Sequence, residues 1–319
     1  MRSILLLALI AAHATSATAQ QDWPSRPVQM VNPFAAASAV DVVTRLVAQG
    51  LTQTAGKSFL VENKTGASGN IGSEFVARAK PDGYTFLVGS PGTMAINPYL
   101  FKKLPYDAEK DFVPVSTLVS FPQVLIVNPA LPVKSMADLT AYVKARPGKL
   151  NYASAGIGTT SHLVFELVKS AAGLDVVHVP FRGGAPATQA VIAGDVQFAV
   201  EGLPSLPAHL KSGAVRAVAV TSLERAASLP EVPAISETIR DFDAAAWVIL
   251  FAPAGTPAPI VERMAEECAK AMQLPDVKAK LTGMGASVVA SSPSQTAAFH
   301  KRELAKFKRA VEISGATAE

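Results

Sequence analysis

Two short loops of small residues carry most of the chemistry that this sequence offers. The first, FAAASAVD (34–41), leaves an apolar run at Asn32-Pro33 and ends on a carboxylate, Asp41, where a helical pattern starts. The second, SAGIGTTSH (154–162), again joins a strand-like run to a helical one. The first N–H groups of a helix have no partner inside it, and the peptide dipoles add partial positive charge there. A carboxylate or phosphate fits such a place, and small side chains let it reach the backbone. The candidate ligand contacts are Phe34, Ala37, Ser38, Ala39 and Asp41 in the first loop, and Ser154, Gly158, Thr159 and His162 in the second. Ser38 and either Thr159 or Thr160 read equally as plain N-caps. Arg182, in VPFRGGAPA, follows a strand and precedes glycines at a helix entrance. Its fork could hold a carboxylate bidentately, or it could stay in water. Thr93, on the loop leaving the strand YTFLVGS, is a further ligand-binding candidate.

Other chemistry finds little support. TGASGNIGSE (65–74) has the form G-x-x-G-x-x-G, which misses the dinucleotide fingerprint, and no acidic residue follows where a ribose would need one. GLTQTAGKS has five residues between its glycines instead of the four of a P-loop, and it stands at a helix exit. There is no G-x-S-x-G elbow. His162, His178, His209 and His300 show no metal-ligand spacing with one another or with a cysteine, so neither a metal site nor a cofactor is expected. His162 and Glu166, four apart, suit a hydrogen bond on a helix surface, and Asp41 and Arg45 share that spacing.

The elements that must position these loops alternate. PVQMVNPF reads as a strand, AVDVVTRLVAQGLTQTAG as a helix and SFLVEN as a strand. GNIGSEFVARAKPDG then reads as a helix and YTFLVGS as a strand. Val42, Val43, Leu46, Val47 and Leu51 follow helical spacing, with Gly56 as the stop. The same β-α-β-α-β order returns in KLNYASAG, TTSHLVFELVKSAAG, DVVHVPF, APATQAVIAGD and VQFAVEG. Strands at VRAVAVTS and AWVILFAPAG extend the sheets, and the C-terminal part is helical. This order predicts an α/β fold with two similar lobes and mainly parallel sheets. Crossovers near residues 120 and 246 place 22–120 plus 247–319 in one lobe and 121–246 in the other, with two linking strands as a hinge.

Of the 319 residues, 49% are hydrophobic and 17% charged, so the chain has the means to bury a core. Residues 1–19 combine Arg2, a short apolar stretch and Ala17-Thr18-Ala19, the pattern of a secretory signal peptide cut after Ala19. Its apolar stretch is shorter than the about 20 residues that span a bilayer. One cysteine, Cys268, allows no internal disulfide and sits in a helical pattern as a packed residue; an exported protein without disulfides suits the periplasm. The net charge of +4 is mild, and the one basic cluster, HKRELAKFKR, reads as the polar face of a terminal helix. Nucleic-acid binding is not expected.

Several stretches together resemble one family. They are TGASGNIGSEFVARAKPDGYTFLVG, AINPYLFKKLPYDAEKDFVPVS, KLNYASAGIGTTSHL, VHVPFRGGAPA, LKSGAVRAVAVTS and FAPAGTP. The chain is similar over its mature length to the Bug family, the periplasmic solute-binding proteins of tripartite tricarboxylate transporters. That resemblance implies a two-lobe Venus flytrap, without catalytic activity, closing on an organic acid for delivery to a membrane permease. It also implies that the loops at 34–41 and 154–162 hold the carboxylate, and that Glu201 stands where the family carries an aspartate. The family's Gly-Gly in the first loop is Ala37-Ser38 here, which adds a hydroxyl. The Glu201-Gly202 change leaves more room, consistent with a longer or aromatic dicarboxylate. The expected state is a monomer. A hydrolase or isomerase of a small acid would instead need Ser154 or Ser161 activated near His162. A periplasmic sensor partner would use the same lobes.

Overall fold

The computed structural model describes residues 23–36 and 38–318, so the leader expected over 1–19 and the loop residue Ala37 lie outside the described residues. Strand β1 (Val28–Asn32) is largely buried because VQMVN is apolar at three of its positions. Ser38 opens α1 (Ala39–Ala55) as its N-cap, and Gly56, at φ 67°, closes it. That left-handed conformation suits glycine, which has no Cβ to clash. β2 (Phe59–Asn63), α2 (Asn70–Ala77) and β3 (Thr85–Gly89) follow. β1 lies between β2 and β3 and is parallel to both.

A π-helical turn, Gly92–Ile96, leads into the short helix α3 (Asn97–Leu100). β4 (Phe112–Phe121) and β5 (Gln123–Val127) are separated by Pro122 alone, yet they belong to different sheets. Sequence reading places only a crossover here. The run FVPVSTLVSFPQVLIV is so evenly apolar that no helical or strand period stands out.

Next come α4 (Met136–Lys144), β6 (Asn151–Ser154), α5 (Thr160–Ala172) and β7 (Val177–Pro180). They are followed by α6 (Gly184–Ala193), β8 (Phe198–Gly202), α7 (Pro207–Lys211) and β9 (Arg216–Val220). β10 (Ala246–Pro253) returns to the first sheet, and α8 (Ala258–Gln273), α9 (Pro275–Gly283), β11 (Ser287–Val288) and α10 (Pro293–Ser314) complete the chain.

The first sheet has the order β11-β4-β10-β3-β1-β2 and the second β7-β6-β8-β5-β9. In both, the three strands of the β-α-β-α-β unit are parallel. The strands that link the sheets run antiparallel to their neighbours, so each sheet is mixed. The molecule therefore has two lobes, one on each sheet. β4 and β10 lie side by side from Phe112↔Pro253 to Phe121↔Ala246, so both linking strands leave the first sheet at the same end. The C-terminal ends of β1, β3, β6 and β8 all point toward this junction, which is where the small-residue loops begin.

Apolar residues of α1, α8 and one face of the first sheet form one buried cluster; Cys268 belongs to it. A second cluster runs through both lobes, from Val31, Leu87 and Phe251 to Leu125, Tyr152 and Phe198, and includes Phe307, Ala310 and Val311 of α10. No helix among the described residues is long and apolar enough to cross a membrane.

Candidate functional site

The first loop is held from behind by the ends of β1 and β2. Asn32 at the end of β1 accepts from the Phe34 N–H at 3.2 Å, and Asn63 at the end of β2 donates to the Phe34 carbonyl at 3.0 Å. Both amides also donate to Asp41 Oδ1, at 3.2 and 2.7 Å, while Arg45 Nε donates to Oδ2 at 2.9 Å. Asp41 is 2% exposed, so its carboxylate faces the sheet ends and fixes the loop. Ser38 Oγ accepts from the Asp41 N–H at 3.2 Å, the N-cap bond of α1. As an acceptor there it keeps its own O–H to donate. Ala39 is exposed beside it.

Three loops of this lobe meet at Gly69. A Cβ built there would lie 2.5 Å from Thr93 Cγ2, 3.3 Å from Pro33 Cβ and 3.7 Å from Phe34 Cε1, at a φ of +89°. Any larger residue would push these loops apart. Thr93 is fully buried, with its hydroxyl engaged by Ser90 and its carbonyl by the Tyr106 hydroxyl. Asn32, Asn63 and Gly69 were not singled out from the sequence. The signal available was an asparagine closing each of two adjacent strands.

In the second lobe the loop 154–162 folds on itself. The Gly156 N–H donates to Ser154 Oγ at 3.1 Å, the Ala155 N–H to Ser161 Oγ at 3.0 Å, and the Gly158 N–H to His162 Nδ1 at 3.0 Å. Thr159 is the N-cap residue of α5 but does not cap it; its hydroxyl donates to the Gly156 carbonyl at 2.7 Å. The first turn of α5 is thus left with its N–H groups uncapped by any described side chain. Gly158 has φ +73° and presses on the first lobe: a Cβ there would lie 2.3 Å from Leu100 Cδ2. The two lobes touch at this loop.

His162 makes no surface hydrogen bond with Glu166, the pairing its spacing suggested. Both residues are buried. Glu166 instead accepts from the Tyr152 hydroxyl and from Lys169 Nζ at 2.7 Å. The His162 ring stacks on His178 at 3.9 Å, and His178 lies 4.8 Å from Tyr152, which stacks on Phe165 at 3.9 Å. His178 Nε2 is 2.7 Å from Ser154 Oγ. Burial lowers the pKa of His162, and burial together with the adjacent His162 brings that of His178 down to about 4.

Arg182 is exposed and has no hydrogen-bond partner among the described residues. Glu201, at the end of β8, accepts from the Gly202 N–H at 2.9 Å. Its Oε2 lies against the entrance of α6, 2.3 Å from where a Cβ on Gly184 would stand. Burial raises its pKa, and the Gly202 and Ser205 hydrogen bonds oppose that rise. Arg182 and Glu201 therefore flank the two ends of the Gly183-Gly184 turn. Among the described residues no group of three or more His, Cys, Asp or Glu is placed to hold a metal. A cavity of about 650 Å³ lies elsewhere, between α10 and the 222–228 loop, and none of the described candidate residues lines it.

Two lobes with facing loops, one of them ending at an uncapped helix, make a solute-binding geometry. The sequence from 43 to 315 matches the model of the tripartite tricarboxylate transporter family receptor. The chain belongs to this family. Three solved structures of binding proteins are similar to this receptor. A Rhodopseudomonas palustris protein, Rpa4515 with adipate, is 34% identical with a TM-score of 0.79, covering 92% of this chain and 99% of that one. MatC from the same organism, with bound malate, is 34% identical with a TM-score of 0.75, covering 91% and 100%. The periplasmic binding protein BugD is 32% identical with a TM-score of 0.75, covering 93% and 100%. The Bug-type fold expected from the sequence is the fold this receptor has.

Proposed function

We propose that this receptor is a periplasmic protein, monomeric and without catalytic activity, that captures a small carboxylate between its lobes. It hands the solute to the membrane permease of a tripartite tricarboxylate-type transporter. The lobes are residues 22–120 plus 247–319 and residues 121–246. The observation that carries this reading is the first turn of α5. Thr159 turns its hydroxyl away from the cap, so the N–H groups of residues 160–162 stay available to an anion. The Ser38 hydroxyl and the neighbouring loop amides supply donors from the other lobe. Only a closed molecule makes both sets of contacts, so a bound acid favours closure. Arg182, exposed at the rim, suits a second carboxylate, and the space beside Glu201-Gly202 suits a longer or aromatic dicarboxylate. Adipate and malate in similar structures point to this ligand class.

A hydrolytic reading has one geometric pointer, the Ser154–His178 contact, but Ser154 is 1% exposed and its oxygen is held by Gly156, which leaves a substrate carbonyl no access. Calorimetric titration and thermal shift with mono-, di- and tricarboxylates, including adipate, malate and an aromatic diacid, test the proposal. A stoichiometric complex with a raised Tm and no chemical change is expected. Consumption of the acid, or binding of none of the panel, overturns it.

A further inference from the structure

The ring column under the second loop does work that the carboxylate reading leaves unused. We propose, resting on that reading, that His162 and His178 are positioning residues: a stacked pair of imidazoles that holds the 154–162 loop in its anion-accepting shape and releases Gly158 when His162 is protonated.

The geometry requires the neutral form at one atom, His162 Nδ1. His162 Nδ1 accepts the Gly158 N–H at 3.0 Å, so it carries no proton and the ring is the Nε2–H tautomer. An imidazolium would present N–H at Nδ1 and face the Gly158 N–H donor to donor. Ser154 Oγ receives the Gly156 N–H and donates to the Gly156 carbonyl, so His178 Nε2–H donates to it at 2.7 Å and braces Ser154 in either protonation state. The two imidazoles thus hold the two glycines whose positive φ values, 135° and 73°, shape the turn before α5. With ring centroids 3.9 Å apart, the pair resists two positive charges, and a proton taken up at His162 Nδ1 breaks the hold on Gly158.

The charged and titratable groups around the pair are few. From α5 they are Glu166 and Lys169, which form an ion pair at 2.7 Å and largely offset each other. From β6 there is the Tyr152 hydroxyl, which is spent on Glu166. Phe198 and Val200 of β8 and Phe307, Ala310 and Val311 of α10 belong to the same buried apolar cluster as Tyr152 and Phe165, and none of them is titratable. Leu100 of α3 covers Gly158 from the other lobe. Both rings titrate below the ordinary histidine range, so the loop is set at neutral pH and is loosened only in acid.

Four variants and a pH series test this. Asn places Oδ1 where His162 has Nδ1, and Gln places a polar atom near the position of His178 Nε2. His162→Asn and His178→Gln are therefore expected to keep adipate and malate affinity within about threefold, whereas His162→Leu and His178→Leu lose tenfold or more. The ratio of wild-type to His162→Asn/His178→Gln affinity at each pH cancels the acids' own ionisation. It is expected to stay constant near neutrality and to shift against the wild type as the pH falls below the ordinary histidine range. In the ligand-free protein the Gly158 amide shift should follow the His162 titration by NMR. A flat affinity ratio, folded Leu variants that bind as the wild type does, or a Gly158 amide that ignores the His162 titration would each overturn the assignment. If neither acid binds any variant, the carboxylate reading falls, and the glycine amide titration still decides the role of the pair.

Discussion

Asp41 accepts hydrogen bonds from Asn32, Asn63 and Arg45 while almost wholly buried, so its replacement strands two amide donors at once. Asp41→Ala is expected to lower the free energy of unfolding by about 1–3 kcal/mol, the usual cost of a buried group left unsatisfied. Urea denaturation measures it, and an unchanged midpoint would show that Asn32 and Asn63 hold the loop without it. Glu201 behaves differently because burial favours its protonated form. The folded state then binds an extra proton between the ordinary value of 4.5 and the raised one, and stability falls as pH rises through that window. Glu201→Gln is expected to melt higher than the wild type near neutral pH, with the gap closing below about pH 4. A gap independent of pH would mean that Glu201 does not titrate there. At this scale the sequence showed which loops to inspect but not which way their side chains turn. Asp41 and His162 look like ligand contacts because they end small-residue loops. Their partners, Asn32, Asn63 and Gly158, are set by tertiary packing that spacing along the chain does not encode.

Among the elements, α5 differs from α1 in how it starts. α1 has Ser38 as a working cap, whereas the hydroxyl of Thr159 is directed at Gly156. Thr160 is the first helical residue of α5, and Thr159 before it is extended at φ −72°, ψ 162°, a conformation that tolerates a following proline. Thr160→Pro therefore deletes one candidate anion donor with little strain, since proline suits the first helical position. The expected outcome is an unchanged Tm without ligand and carboxylate binding weakened about tenfold, for loss of a hydrogen bond to a charged group. Equal affinity by calorimetric titration would remove the Thr160 N–H from the site. α8 offers a second check. Cys268 is fully buried and its thiol is pushed up to about 12 by burial, so it should resist alkylation in the native protein and react only on unfolding. Labelling at the native rate of a free thiol would show that α8 opens on its own. Helices and parallel strands with clean periodicity were readable in advance. β4 and β5 were not, because a strand buried on both faces shows no alternation.

At the scale of the molecule, two β-α-β-α-β units imply two lobes on a hinge, and the repeat of element order made that architecture legible. The extent to which the lobes share a core was not legible, because it depends on where α10 lands. α10 belongs in sequence to the first lobe, yet Phe307, Ala310 and Val311 join one buried cluster with Phe165 and Val168 of α5. The same cluster continues through Leu125 and Tyr152 to Ile249 and Phe251 of the first sheet. The lobes also meet closely at two further places, Gly158 against Leu100 and Gly285 against Leu203. Lobes joined by strands alone would melt separately, since each carries its own sheet. A shared core couples them, because unfolding either lobe exposes apolar surface of both. The ligand-free receptor is therefore expected to unfold in one calorimetric transition, with the van't Hoff enthalpy equal to the calorimetric one. Phe307→Ala, at a fully buried position, should cost about 3–5 kcal/mol and move that transition as a whole. Two resolved transitions, or a Phe307→Ala variant in which only part of the melt shifts, would show instead that the lobes fold independently and that α10 is a strap over one of them.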